Sequence, residues 1–264
     1  VTGSNYTNNV YNPIFAARLN NPYEKPYDDD GNFIPNADFM SGWNAIEQLH
    51  LNQSGDNQLK IMGNVRAEYQ IIKGLKFSTR LGLDLYDYMA HRWYNPNAAW
   101  GMADNGSVDR YFSRNQKVLF TNMLDYNFKI QKHGFSLKAG QEIISNYYEN
   151  FAVGGKGLPN DKIRVLNATS EIDYWSGGIS EYNVASFFGS MNYNFASRYY
   201  IDLSFRRDGS SRFGDDTKWG NFWSAGVSWN IYNEEFMKGV SAIQNLKLSV
   251  STGTVGNYEI GNYS

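Results

Sequence analysis

From Asn57 onward, apolar and polar residues alternate along the chain. In the stretch LKIMGNVRAEYQII, Ile61, Val65, Ala67, Tyr69 and Ile71 share one face, and Lys60, Asn64, Arg66, Glu68 and Gln70 share the other. Lys73-Gly74 makes a tight turn, and LKFSTRLGLDLYDY alternates again. There Leu75, Phe77, Leu81, Leu83 and Leu85 oppose Lys76, Ser78, Arg80, Asp84 and Tyr86. Period two held for about a dozen residues is a strand signal, because successive side chains of a strand point to opposite sides. The scheme repeats. A strand over 113–130 places Val118, Phe120, Leu124, Tyr126, Phe128 and Ile130 on one face, and QKHG turns it into 135–151. A strand at 182–195 turns at Ala196-Ser197 into 198–208. The last pair, 219–232 and 245–254, is joined through the amphipathic stretch NEEFMKGVSAI. About eight strands are predicted.

Residues 1–56 break this pattern. They hold Pro13, Pro22, Pro26 and Pro35 and the acidic turn YDDDGN, with one short helix expected near Asn12–Leu19. They read as a long ordered loop ahead of the strands at 57–264. Connections alternate in length: short at 73–74, 131–134, 196–197 and 233–244, long at 92–112, 152–181 and 209–218. Outer-membrane barrels have this asymmetry, with short periplasmic turns and long extracellular loops. The strands also exceed the roughly 5–6 residues common in soluble sheets and reach the about 9–11 needed to cross a bilayer.

Composition sharpens this. Aromatic residues make up 16% of the chain, with 20 Tyr, 16 Phe and 7 Trp beside 25 Gly. Aromatics favour strands and glycine marks bends. On the apolar faces, Tyr69, Phe77, Tyr126, Phe128, Phe135, Tyr193, Phe195, Tyr199 and Trp229 all lie near the short turns, at one height. That is the place of an aromatic girdle at a bilayer interface. A looser set, Trp93, Tyr111, Tyr147, Tyr182, Trp219 and Trp223, lies near the long connections. A soluble sandwich could instead turn these aromatics into a core; strand length and girdle placement favour the membrane barrel. The formal charge of −2 gives no basic surface for nucleic acid, and with no cysteine there are no disulfides or thiolate metal sites. No apolar run is long enough for a membrane helix. The sequence shows no Met-led, basic-then-apolar signal peptide, and neither Val1-Thr2-Gly3 nor Gly261-Asn262-Tyr263-Ser264 reads as a natural terminus.

Candidate chemistry is sparse. His50, His91 and His133 are the histidines, and no G-x-S-x-G occurs, so a hydrolytic constellation is not expected. Asp28 and Asp30 in DDDGN have the spacing of Ca²⁺ ligands, but Phe39 stands where an EF-hand loop has its Glu, and a solvated turn is the favoured reading. Gly154–Gly157, GGKG, lacks the full phosphate-loop spacing and is read as a flexible loop. On the polar face, Arg66 with Glu68, Arg80 with Asp84 and Asp202 with Arg206 form charge pairs expected to line a lumen. Trp93, Trp100, Tyr174 and Trp175 in the long connections are candidates for stacking on a substrate, with loop packing as the plainer alternative. SFRRDGSSRFG, 204–214, holds cations and aromatics together; it reads as the end of a strand, bending at Asp208-Gly209.

The run YIDLSFRRDGSSRFGDDTKWGNFWSAGVSWNIYNEEFM, followed by LKLSVSTGTVGN, resembles the barrel of TonB-dependent outer-membrane receptors of the SusC/RagA family of Bacteroidetes. NPYEKPYDDDGN and YQIIKGLKFSTRLGLDL resemble it as well, so the likeness covers most of the chain. The resemblance implies an all-β antiparallel transmembrane barrel of 22 strands plugged by an N-terminal domain. This chain would supply about a third of the strands and lacks the plug. The resemblance further implies import of oligosaccharide or peptide, a SusD-like surface lipoprotein as lid, energy from the TonB complex, and the outer membrane of a Gram-negative bacterium. No cofactor and no catalysis are expected. The alternative is a non-transporting barrel or adhesin that binds glycan or protein through its loops; an outer-membrane hydrolase is a third, weaker reading.

Overall fold

The structure is a computed structural model that describes residues 13–213, 218–240 and 242–256. Eight antiparallel strands form one sheet, and their order in the sheet is their order in the chain. They are β1 (Gln53–Ile72), β2 (Leu75–Tyr94), β3 (Ser107–Ile130), β4 (His133–Lys156), β5 (Glu171–Phe195), β6 (Tyr199–Ser210), β7 (Trp219–Asn230) and β8 (Lys247–Gly253). The all-β prediction and the strand count agree with this.

The strands β1 to β5 run further than the alternation suggested, whereas β7 and β8 stop short of the expected 219–232 and 245–254. β3 and β4 have 24 residues each and β5 has 25. At about 3.3 Å per residue such a strand rises about 80 Å, more than twice the thickness of a bilayer core. Alternation reports a strand only where one face meets an apolar medium. Beyond that zone both faces are polar or half-buried, and the signal fades while the hydrogen-bonded ladder continues. The connections are correspondingly shorter: 95–106, 157–170 and 211–218. The connection 231–246 is longer than 211–218, so the expected length asymmetry fails for the last pair.

Turn chemistry agrees with the sequence. Gly74 has φ +87° and closes the β1–β2 hairpin. Ala196 and Ser197 take φ +52° and +58° in the β5–β6 turn, without glycine. Hairpin turns favour this left-handed backbone because its twist matches the strands.

Residues ahead of β1 are more structured than a loop. α1 spans Pro13–Leu19, a 3-10 turn spans Asn36–Asp38, and α2 spans Ala45–Leu51. Asn12, the expected start of the first helix, lies outside the described residues, as do Gly214 of SFRRDGSSRFG, the 215–217 stretch after it, and 257–264. The α2 helix was not anticipated, although Asn44 followed by Glu47 is a capping signal. The Asn44 side chain accepts from the N–H groups of Ile46 and Glu47 and donates to the carbonyls of Pro26 and Ile34. Glu47 then accepts from Asn36 Nδ2 and from Ala99 N, in front of the short helix α3 (Ala99–Met102).

The chain divides into two compact units. One comprises Val1–Leu59, Asp87–Arg114 and Glu149–Ile179; the other comprises Lys60–Tyr86, Asn115–Tyr148 and Ser180–Ser264. The first unit holds a small apolar core of Trp93, Val108 and Leu158, with Leu166 packed against it. The second holds most of the alternating strand surface, and its large apolar side chains are exposed: Leu81, Leu124, Ile201, Leu203, Phe205, Val227 and Val250 among them.

Candidate functional site

Register assigns the faces. Tyr193, Met191, Gly189 and Phe187 on β5 pair with Ile201, Leu203, Phe205 and Arg207 on β6. Those pair in turn with Val227, Ala225, Trp223 and Asn221 on β7. This face is apolar and exposed over most of its length. The opposite face carries Asn192, Ser190, Phe188 and Ser186 beside Asp202, Ser204, Arg206 and Asp208, then Gly226, Ser224, Phe222 and Gly220. The burial is inverted relative to a soluble sheet, where the apolar side would be covered.

On the polar face Arg206 is the centre of a network. Its Nε lies 2.7 Å from Asp208 Oδ1, and its Nη2 donates to Glu142 Oε1 at 3.2 Å and to Ser186 Oγ at 2.9 Å. Thr121 donates to the other Glu142 oxygen, and the guanidinium lies 5.7 Å from the Phe188 ring centre. Asp208, Ser186 and Ser210 are buried. The expected partner of Arg206 was Asp202, but Asp202 instead accepts from Asn192 Nδ2. Asp202 and Arg206 share a face but stand four positions apart, about 13 Å along the strand, whereas Asp208 is two positions away and Glu142 and Ser186 reach in from β4 and β5. The bend expected at Asp208-Gly209 is displaced as well: β6 continues to Ser210, and Gly209 is not left-handed. A Cβ on Gly209 would lie 2.9 Å from the Trp219 ring, so the glycine makes room for an indole.

Of the other polar-face charges, Arg66 pairs with Glu68, and Lys76 joins Glu68 at 3.2 Å. Among the described residues no ion pair joins Arg80 to Asp84. Neither Glu142 nor Ser186 was singled out from sequence, because their partners lie on other strands.

Near the short turns, rings form a continuous belt across β3 to β7. Ring centres are 4.7 Å apart for Tyr126 and Phe128, 4.8 Å for Phe128 and Phe135, and 5.1 Å for Phe135 and Tyr193. His133 continues the belt, 5.9 Å from Tyr193 and 4.9 Å from Phe195, with its Nδ1 2.8 Å from the Tyr193 hydroxyl. Phe195 to Tyr199 and Tyr199 to Trp229 are each 6.4 Å. Seven of the nine girdle residues named from sequence are thus brought together. Tyr69 and Phe77, on β1 and β2, make no ring contact with the belt among the described residues. His133 was missed as a member because it was read as part of a turn.

Beside this belt, the β7–β8 connection is tied to the β5–β6 turn. Arg198 reaches Glu234 and Glu235, each at 3.1 Å, and Asn233 Nδ2 donates to the Ser197 carbonyl. Trp229 Nε1 donates to Glu234, and that hydrogen bond, followed by one from Tyr199, holds the carboxyl below its ordinary pKa. Lys238 does the same for Glu235.

The proposed stacking residues separate sharply. Trp93 is only 3% exposed, sits in the core, and has the Arg164 guanidinium 4.0 Å over its ring. Its ring faces are not open to a ligand, which corrects the sequence-based expectation. Arg164 is held in turn by Gln53 Oε1 at 2.7 Å. Trp100 packs between Trp43 and Tyr94. Tyr174 lies over Gly154, where any Cβ would collide with its ring, and donates a hydrogen bond to Asp109. Trp175 is 77% exposed. The run Gly154–Gly157 is therefore not a flexible loop. It ends β4, and its glycines admit Tyr174, Thr169 and Ser170 at contact distance while Lys156 faces Glu171 and Asp173.

Asp28 is occupied by its own turn. Its carboxylate accepts from the N–H groups of Asp30 and Asn32 and from Asn32 Nδ2. The Asn32 N–H is the main cause of its lowered pKa. Among the described residues no group of three or more His, Asp or Glu side chains could hold a metal. His50 Nδ1 lies 3.0 Å from the Ile46 carbonyl within α2, and the His91 ring lies against Gly55.

A chain-order antiparallel sheet with an exposed apolar face, a polar opposite face and a ring belt defines a segment of a transmembrane-type β-barrel. No protein-family model matches the chain. It is 29% identical over 241 residues to TonB-dependent receptor P39 of Formosa agariphila, covering 89% of this chain and 23% of that protein. It is 25% identical over 266 residues to TonB-dependent receptor SusC of Bacteroides thetaiotaomicron, covering 90% of this chain and 25% of that protein. A solved structure of the RagAB peptide transporter matches with a TM-score of 0.80 and 29% identity, over 93% of this chain and 28% of that one. The RagAB peptide importer in its open-open state matches with a TM-score of 0.81 and 28% identity, over 97% and 28%. The chain is similar to TonB-dependent receptors of the SusC and RagA kind over part of their barrel. It spans about a quarter of the length of the curated relatives it matches.

Proposed function

We propose that this chain forms part of the wall of an outer-membrane importer for oligosaccharide or peptide, powered through TonB and capped by a SusD-like lipoprotein. The observation that carries the reading is the inverted sheet. Its apolar face is exposed and rimmed by aromatics, as a lipid-facing wall is, and its polar face carries the Arg206 network, as a lumen wall does. The strands at 57–264 then cross the membrane, with the turns at 73–74 and 196–197 on the periplasmic side and residues 1–56 on the extracellular side. The names of the relatives support TonB as the energy source and peptide as one cargo class: receptors dependent on TonB, and a peptide transporter. The wall breaks no bond. Its work is to give a hydrated, charge-balanced path and to hold its shape while cargo passes.

The test is uptake by cells carrying the full-length protein, with fluorescently labelled maltooligosaccharides in one arm and mixed oligopeptides in the other. Import is expected for one class, abolished when TonB is deleted. Surface binding of either probe that survives loss of TonB, with no accumulation inside, would instead establish an adhesin.

A further inference from the structure

Arg207 is a cation on the wrong face. Register places it beside Phe187 on β5 and Asn221 on β7, on the side that carries Tyr199, Ile201, Leu203 and Phe205. It is exposed, and its guanidinium lies 5.1 Å from the Trp219 ring centre, with Trp219 itself 6.2 Å from Phe187. Among the described residues no carboxylate pairs with it. Its neighbour Arg206 has two carboxylates, and Arg114 is held bidentately by Asp87 at 2.6 and 2.8 Å. A bare cation on a lipid-facing surface is unfavourable at mid-bilayer and close to neutral at the interface. From Tyr199 in the belt to Arg207 the strand rises about 26 Å. With a tilt of about 35–45° that is about 20 Å of height, near the far limit of an apolar band about 25 Å tall. The backbone of Arg207 therefore lies about 5 Å inside the far edge of that band, and its stem reaches outward to the Trp219 ring, two positions further along, which carries the guanidinium to headgroup level in the leaflet on the side of the long connections.

We propose that Arg207, with the Asn221 amide beside it and the Trp219 and Phe187 rings around it, forms a docking site for the phosphate of an anionic lipid headgroup in that leaflet. The guanidinium supplies paired N–H donors and the permanent charge that phosphate recognition requires. Asn221 is its cross-strand partner and offers a further donor. The exposed rings of Phe205 and Trp223, one step nearer the belt, give the acyl chains a surface below the charge, while Phe187 lies level with it and Trp219 one step beyond, at the glycerol region. The proposal rests on the membrane-barrel reading.

The experiment is lipid retention by the full-length protein in nanodiscs of phosphatidylcholine mixed with phosphatidylglycerol, read by mass spectrometry after mild delipidation. The wild type should retain phosphatidylglycerol in preference. Arg207→Gln should lower that preference about fivefold, the value of one interfacial cation. Asn221→Asp, which pairs the arginine internally, should lower it to the same degree, so the inference does not depend on one variant folding. Arg207→Lys, which keeps the charge and loses the paired donors, should keep only part of it, and Lys162→Gln in the 157–170 connection should leave it unchanged. Unaltered preference in either Arg207→Gln or Asn221→Asp would overturn the proposal. Displacement of the retained lipid by millimolar inorganic phosphate would overturn it too, by making this a general anion site. Insertion without lipid preference counts against this inference alone; a wild type that does not insert counts against the barrel reading and the inference together.

Discussion

Arg206 and Arg207 differ by one position and therefore by one face. Arg206 is committed: truncation to Ala leaves Asp208 buried beside Glu142 with no cation between them. Expected is a loss of about 2 kcal/mol, read as a lower urea midpoint of the protein refolded into lipid vesicles. Two glycine-type positions act in opposite directions. A Cβ on Gly74 would lie 2.2 Å from the Asn127 carbonyl oxygen and needs φ +87°, so Gly74→Ala is expected to cost about 1–3 kcal/mol in the same assay. Ala196 already bears a side chain at φ +52°, and Ala196→Gly should recover about 1 kcal/mol. Among the four stacking candidates, Trp175 is the ring most open to a passing molecule. Trp175→Ala should weaken capture of imported cargo about three- to tenfold in the uptake assay, with little change in stability.

At the scale of elements, the tie between two neighbouring turns makes a pH-dependent contribution. Glu234 and Glu235 are held ionised by Trp229, Tyr199, Arg198 and Lys238. Carboxylates with lowered pKa add stability above the ordinary carboxylate range and lose it as pH falls through their lowered folded values. The thermal midpoint, followed by tryptophan fluorescence, should therefore drop on acidification, and Glu234→Gln should make that drop shallower while lowering the midpoint at neutral pH. Elements were also where the sequence was most legible. Tyr199, Ile201, Leu203 and Phe205 announced β6 because lipid-facing alternation is a local signal. The girdle was legible for the same reason: each ring sits at a fixed offset from a turn. The Arg206 network was not, because Glu142, Ser186 and Asp208 come from three strands and only register brings them together. Trp93 was misjudged because a tryptophan in a connection gives no sign of whether a later arginine, Arg164, will cover it. The α2 cap at Asn44 was written in the sequence and overlooked among the prolines around it.

For the whole molecule, β1 and β8 each have one neighbour in the sheet. Their other edges carry backbone groups that a bilayer cannot satisfy. The 264-residue polypeptide expressed alone is expected to fail to insert as a heat-resistant monomer and to aggregate through these edges, checked by gel mobility with and without boiling. The full-length protein, with partners for both edges, should show the compact unboiled band. Chain-order pairing has one more consequence, for assembly in time. Because β1 to β8 pair only with their sequence neighbours, each strand meets its partner across a single connection, and no strand waits for a distant one. The entropy of closing each contact is that of a short loop. The sheet can therefore grow one hairpin after another in the direction of synthesis. At every stage the outer edge of β1 stays where it is and the ladder at the growing end advances, so whatever inserts the protein has one fixed edge and one moving edge to guard.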